Sequence, residues 1–186
     1  MNKFIKKKKE GKMPKIIGNI RAKLLEETRK QIRECGYKET TVRSVASALS
    51  IGLGTLYNYF ESKDMLVASF MLEDWNEIVG NIRRRLETAL TSSEKLRFIY
   101  EGLLDFYEKH EAIFKDPGAR RTFAHSTEER HPLLISQISA MVTPVLENNE
   151  AENKSLLADF ISESMLTWST AGRAYSDLEP IFIKLI

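Results

Sequence analysis

Residues 41–63 read TVRSVASALSIGLGTLYNYFESK. Thr41 is a strong N-cap residue type, and the apolar spacing behind it predicts a short helix over Val42–Leu49. Ser50-Ile51-Gly52 offers a tight turn, and a second helix is predicted over Leu53–Tyr59. This second helix carries Thr55, Tyr57, Asn58 and Tyr59, side chains able to hydrogen-bond phosphates and base edges. Tyr57 and Tyr59 stand two apart and so leave the helix on different faces, with Phe60 left to serve the core. Lys63 follows at the start of the next helix. Two short helices, a tight turn and an outward polar-aromatic second helix make a helix-turn-helix, motif 41–60, whose second helix enters the major groove of DNA.

Packing demands agree with this reading. Ala46 is small where the second helix must approach the first, Ser50 occupies a turn position that favours glycine, and Leu56 faces inward between the two. Val42, Val45, Leu49, Ile51 and Phe60 complete a small core. Upstream, Ile17, Ile20, Leu24, Leu25, Thr28 and Ile32 recur at helical spacing, predicting a helix over Ile16–Cys35 that Gly36 ends in a left-handed cap and Tyr37 packs against. Downstream, Ser62 caps a long helix carrying Leu66, Phe70, Trp75, Ile78, Ile82 and Leu86. Further helices are predicted over Ser93–Lys115, Pro117–Ser126, Pro132–Glu147, Asn153–Tyr175 and Glu179–Ile186. No strand, repeat or low-complexity segment is expected, so the fold class is all-α.

Charge is unevenly distributed. Residues 1–63 hold 15 Lys/Arg against 6 Asp/Glu, whereas residues 64–186 hold 13 against 20. A basic N-terminal third on an acidic body suits one end facing a polyanion. Much of that excess belongs to residues 1–15, a basic tail expected to be disordered, with Lys6–Lys9 either solvated or a nonspecific phosphate-binding arm. The single Cys35 excludes an internal disulfide and is expected to pack in the core. No apolar run has the roughly 18–20 residues a membrane helix needs. A cytoplasmic protein with no membrane partner is expected.

The stretch from Glu34 to Val67 resembles the DNA-binding domain of the TetR family of bacterial transcriptional regulators. Gly36-Tyr37, Thr40-Thr41, Gly54-Thr55-Leu56-Tyr57, Tyr59-Phe60 and Ser62-Lys63-Asp64-Met65-Leu66 carry the resemblance, which extends over about residues 18–78. It implies a DNA-binding domain over 16–78 and a helical effector-binding and dimerisation domain over 79–186. DNA-contacting roles carry over to Thr41, Arg43, Leu53, Gly54, Thr55, Tyr57, Asn58, Tyr59 and Lys63. Thr41, Tyr57, Tyr59 and Lys63 correspond to phosphate contacts. Arg43, Thr55 and Asn58 correspond to base readers, and Leu53 either meets a thymine methyl or packs. Departures are Ser50 for the usual turn glycine, Gly52 for a side-chain cap and Leu53 for a polar reader.

The resemblance also implies a homodimer on double-stranded operator DNA, answering to a small-molecule effector or, alternatively, to a protein partner. Repression is the expected mode of control. Tyr100, Phe106, Tyr107, Phe123, Met141 and Trp168 are candidates for an effector pocket. Leu157, Phe160, Ile161, Ser164, Trp168, Ile181, Phe182 and Leu185 are candidates for the dimer interface.

Enzymatic motifs are missing from the sequence. His110-Glu111 has Phe114 where a zinc-binding helix would carry its second histidine. His125 and His131 are six apart and share no helix face, and each histidine is expected at the surface or at a cap. No metal, cofactor or catalytic residue is expected.

Overall fold

The computed structural model describes residues 19–186, apart from the side chains of 123–130. The basic tail 1–15, the expected helix start at Ile16 and the side chains of Phe123 and His125 lie outside the described residues. The described chain is helical throughout: α1 (Ile20–Glu39), α2 (Val42–Ala48), α3 (Leu53–Tyr57), α4 (Lys63–Leu86), α5 (Ser92–Lys109), α6 (Glu111–Phe114), α7 (Pro117–Val142), α8 (Lys154–Thr170) and α9 (Tyr175–Phe182), with a 3₁₀ turn over Thr143–Leu146.

Local chemistry explains most boundaries. Asn19, Thr41, Ser62, Thr91, Asp116 and Asn153 each accept a backbone N–H at their helix start. Gly36 takes φ 82° and kinks α1, turning Tyr37 inward to 5% exposure. Several boundaries differ from expectation. The predicted Ser93–Lys115 helix breaks at His110, which leaves helical geometry (φ −114°, ψ 14°) to bury its ring. Pro132 was expected to open a helix but lies inside α7, whose continuation buries Ile135, Ile138, Met141 and Val142. The end of the predicted 132–147 helix tightens into the 3₁₀ turn. Helix α8 stops at Thr170 rather than Tyr175, because Gly172 (φ 67°) turns the chain and Arg173 N–H bonds the Trp168 carbonyl. Helix α9 starts at Tyr175 behind Ala174 and ends before Leu185, not at the predicted Glu179–Ile186. Cys35 is exposed rather than packed, and His110 is 3% exposed rather than superficial.

Two apolar cores result. One gathers Leu24, Leu25, Val45, Leu56, Leu66 and Phe70 from α1–α4, together with Ile113 and Ala119 from α6 and α7. The other packs α4 from Trp75 onward against α5, α7, α8 and α9. Close approach of α4 and α5 depends on Gly102, where an added Cβ would stand 2.5 Å from two carbons of Ile82, itself 2% exposed. Gly102→Ala is therefore expected to lower stability by about 1–3 kcal/mol despite its better helix propensity. An unchanged denaturant midpoint would contradict that packing.

Between the cores runs a polar seam. Asp74, on the apolar stripe of α4, is 3% exposed. Its Oδ1 accepts from Arg29 Nη2 at 3.0 Å and lies 3.1 Å from Lys109 Nζ. His110 Nε2 sits 3.2 Å from Asp74 Oδ2, off the line of a hydrogen bond, and has no hydrogen-bond partner. Burial pushes the His110 imidazole down to about 4, with Asp74 opposing the shift. A histidine depressed in the folded state is protonated first in the unfolded chain, so stability falls as pH drops from about 6.5 towards 4. The loss expected is on the order of 2–3 kcal/mol, and His110→Gln should flatten that part of the stability–pH curve.

Candidate nucleic-acid interface

Helix α3 is only five residues long and holds its place through one fully buried side chain, Leu56, supported by Phe60 at 3% exposure. Ser50 adopts φ 54° in the turn, the left-handed geometry expected of a position that favours glycine. Gly52 starts the helix without a side-chain cap. Its carbonyl accepts from Thr55 N at 3.0 Å and from Leu56 N at 3.3 Å.

The remainder of α3 is turned outward. Tyr57 is 48% exposed and Tyr59 47%, while Gly54 and Asn58 are exposed and Leu53 and Thr55 are half-buried. Leu53 leans on the first core, which favours its packing role. Helix α3 ends at Tyr57, so Asn58 caps it and Tyr59 leaves in the following turn. Both tyrosines are exposed, Tyr57 on the helix and Tyr59 in the turn after it, where the spacing had placed both on the helix.

Helix α2 contributes Thr41 and Arg43, both exposed. Thr41 Oγ1 accepts from Ser44 N at 3.0 Å, and Ser44 Oγ accepts in turn from Thr41 N at 3.0 Å. Ser44 Oγ also donates to Gln31 Oε1 at 2.6 Å, and Gln31 is held by Glu27. Sequence reading missed Ser44 and Gln31. The spacing of Thr41 and Ser44 is that of a capping box, a signal present in the sequence, but the tie to α1 is tertiary.

Lys63 sits at the start of α4 with its ammonium already engaged. Nζ donates to the Tyr37 carbonyl at 2.8 Å and lies 3.7 Å from the centre of the Tyr37 ring. Burial lowers its pKa, with Asp64 and Asp116 opposing. The Tyr37 hydroxyl donates to Asp64, and burial, reinforced by that carboxylate, raises its pKa. Lys63 therefore locks the kinked end of α1 onto α4, and a phosphate would have to share it.

The described candidates for the pocket, Tyr100, Phe106, Tyr107, Met141 and Trp168, have different surroundings. Tyr100 is fully buried and its hydroxyl donates to the Arg173 carbonyl at 2.7 Å. Phe106 meets Trp75 and His110 edge-on, and Tyr107 stacks on Phe114. Met141 is buried beside a groove of about 300 Å³ that also takes in Arg83, Leu86 and Lys95, whereas Trp168 is 37% exposed. Among the candidate interface residues, Phe160 and Ile181 are exposed, while Leu157, Ser164 and Leu185 are half-buried. Ile161 and Phe182 are sealed in the chain's own core and are not available to a second copy without rearrangement.

Comparison with known proteins agrees with this geometry. Residues 24–70 match the family model described as bacterial regulatory proteins, tetR family. The chain is 29% identical over 103 residues to the HTH-type transcriptional repressor KstR2 of Mycolicibacterium smegmatis, covering 54% of this chain and 50% of that protein. It is 23% identical over 164 residues to the repressor KstR of Mycobacterium tuberculosis, covering 85% and 74%. The chain thus spans about half the length of the first of these relatives. In structure it is similar to the fatty acid degradation regulator FadR of Bacillus halodurans, with a TM-score of 0.62 at 18% identity over 95% of this chain and 96% of that one. It is also similar to Thermus thermophilus FadR, a repressor solved with lauroyl-CoA, with a TM-score of 0.60 at 22% identity over 89% and 92%. At such identities these structures speak for the fold, an N-terminal helix-turn-helix on a helical body. Motif and sequence match coincide on the same residues: residues 24–70 form a DNA-binding domain of the tetR family of bacterial regulatory proteins, on a helical body that shares the fold of the two FadR structures.

Proposed function

We propose that the chain is a homodimeric transcriptional repressor that holds a palindromic operator through the major groove and releases it when a small molecule binds the body. The observation that carries the reading is the exposure of Tyr57, Asn58 and Tyr59, with Thr55 half-exposed beside them, on a helix and turn anchored from behind by Leu56 and Phe60. Arg43, exposed in the first turn of α2, has the reach and planarity to clamp guanine O6 and N7. The DNA-binding unit is taken as residues 16–78 and the effector and dimerisation unit as 79–186.

Pairing of two copies is supported by the apolar side chains that α8 and α9 leave in water, Leu156, Phe160, Trp168 and Ile181, each between 37% and 64% exposed. A two-fold axis there sets two recognition helices about 34–36 Å apart, one turn of duplex. For the effector, the groove beside Met141 offers Leu86 and Val145 as an apolar floor and Arg83 and Lys95 at its rim. An apolar chain with an anionic end suits such a lining. The lauroyl-CoA of Thermus thermophilus FadR and the stearoyl-CoA of Bacillus subtilis FadR belong to that class. Helix α4, 24 residues and roughly 36 Å long, joins Lys63 to Arg83 and Leu86. A ligand that tilts α4 changes the separation of the recognition helices, so ligand and operator oppose one another through one element.

The DNA half of the reading is tested with Arg43→Ala against a specific duplex and a random one. A loss of roughly 1–3 kcal/mol at one base pair is expected, and equal loss on both duplexes would take Arg43 off the base-reading face. For the effector half, lauroyl-CoA added to the protein–operator complex should release the duplex. Unchanged affinity would reject that ligand class and leave DNA binding standing.

A further inference from the structure

The seam between the two cores contains more than ion pairs. A cavity of about 410 Å³ opens there, walled by α1, α4 and the corner between α5 and α6. Phe70 and Ile113 supply apolar walls, and the Arg29 guanidinium lies 5.3 Å from the centre of the Phe70 ring. His110, 97% buried by its 3% exposure, lines the cavity with a ring nitrogen that no donor or acceptor satisfies. A buried polar atom without a partner is uncommon and marks a place where a bound group can complete the hydrogen bonding. The lining carries Arg29, Arg33 and Lys109 against Asp74, Glu108 and Glu111. Asp74 holds Arg29 and Lys109, and Glu111 is held from outside the cavity by Lys115 at 2.5 Å. Arg33 has no ion pair among the described residues, which leaves one exposed guanidinium on the lining for an anionic group.

From this arrangement we infer that the seam cavity is a second effector site, separate from the groove beside Met141, and that it takes a small organic monoanion with a flat apolar body. The acid group pairs with Arg33 and the outer edge of Arg29, the body lies between Phe70 and Ile113, and an oxygen reaches His110 Nε2. The volume suits a molecule of small-metabolite size. Such a ligand touches α1 of the DNA-binding head and the α5–α6 corner of the body at once. Its occupancy fixes the angle between them, and so couples to DNA affinity whatever happens in the other groove.

The test uses the full-length chain and 4-hydroxybenzoate as the probe, an aromatic monoanion with an oxygen at each end. Titration calorimetry is expected to show one site per chain, with the His110 ring proton shifting in NMR spectra as the site fills. Arg33→Ala, an exposed change with no packing cost, is expected to weaken binding about tenfold or more, and His110→Phe, which keeps a ring but removes the nitrogen, to abolish it. No saturable binding up to about 10 mM, or equal binding in both variants, overturns the proposal. Both variants are expected to bind duplex DNA normally without the probe. Loss of probe binding with DNA binding intact therefore counts on this site alone, and loss of DNA binding in the wild type counts against the regulator reading instead.

Discussion

Thr55→Ala combined with Asn58→Ala is expected to reduce affinity for the specific operator by a factor of about 30 to 10⁴, at about 1–3 kcal/mol for each lost base contact, while the thermal midpoint stays where it was. Neither side chain belongs to the core that Leu56 and Phe60 anchor, so the fold has no reason to notice the change. Nonspecific binding should be almost untouched, because it depends on phosphate contacts from other residues. Fluorescence anisotropy on specific and random duplexes measures both. A parallel fall on the two would mean these side chains position the protein without reading bases. A fall in midpoint would mean they hold the motif together.

The second large effect concerns stability. Arg29→Ala is expected to cost about 3 kcal/mol, because it strips the buried Asp74 of its best-aligned partner and leaves a carboxylate at 3% exposure beside Lys109. Adding Asp74→Leu to that variant should recover much of the loss. Position 74 continues the apolar stripe of Leu66, Phe70, Ile78 and Ile82, and an apolar side chain there would join the two cores without stranding a charge. The double variant is thus expected to be more stable than the single. If it is less stable, the seam contributes net stabilisation rather than separating two apolar cores at a cost.

The same residues explain what could be read in advance. Residues 41–63 specify their own structure: Thr41 caps, Ser50 turns and Leu56 anchors within a few residues of one another, so local rules were enough. Long helices with one apolar stripe, α4 above all, were equally legible. Failures occurred where distant chain decided. His110 broke a predicted helix because Asp74 and Phe70, both on α4, receive its ring. Pro132 lies inside α7 because the residues after it, Ile138, Met141 and Val142, pack into the second core as one continuous helix. The seam had left a trace, an aspartate on the stripe at 66, 70, 74, 78 and 82, but one acid among apolar residues does not say which cations will find it. Ile161 and Phe182 matched an interface pattern that cannot distinguish a chain's own core from a partner's surface. The hold of the Tyr37 carbonyl on Lys63 was not legible either, because the kink at Gly36 that brings the two together is a tertiary event.

The account turns on α3 reading a duplex, and repeated selection from random-sequence duplexes with the full-length chain tests that most directly. Enrichment of one sequence with two inverted half-sites, lost when Thr55→Ala/Asn58→Ala is used, is the expected result. A wild-type chain that enriches nothing over the starting pool, or enriches the same sequence with and without those two side chains, would contradict it.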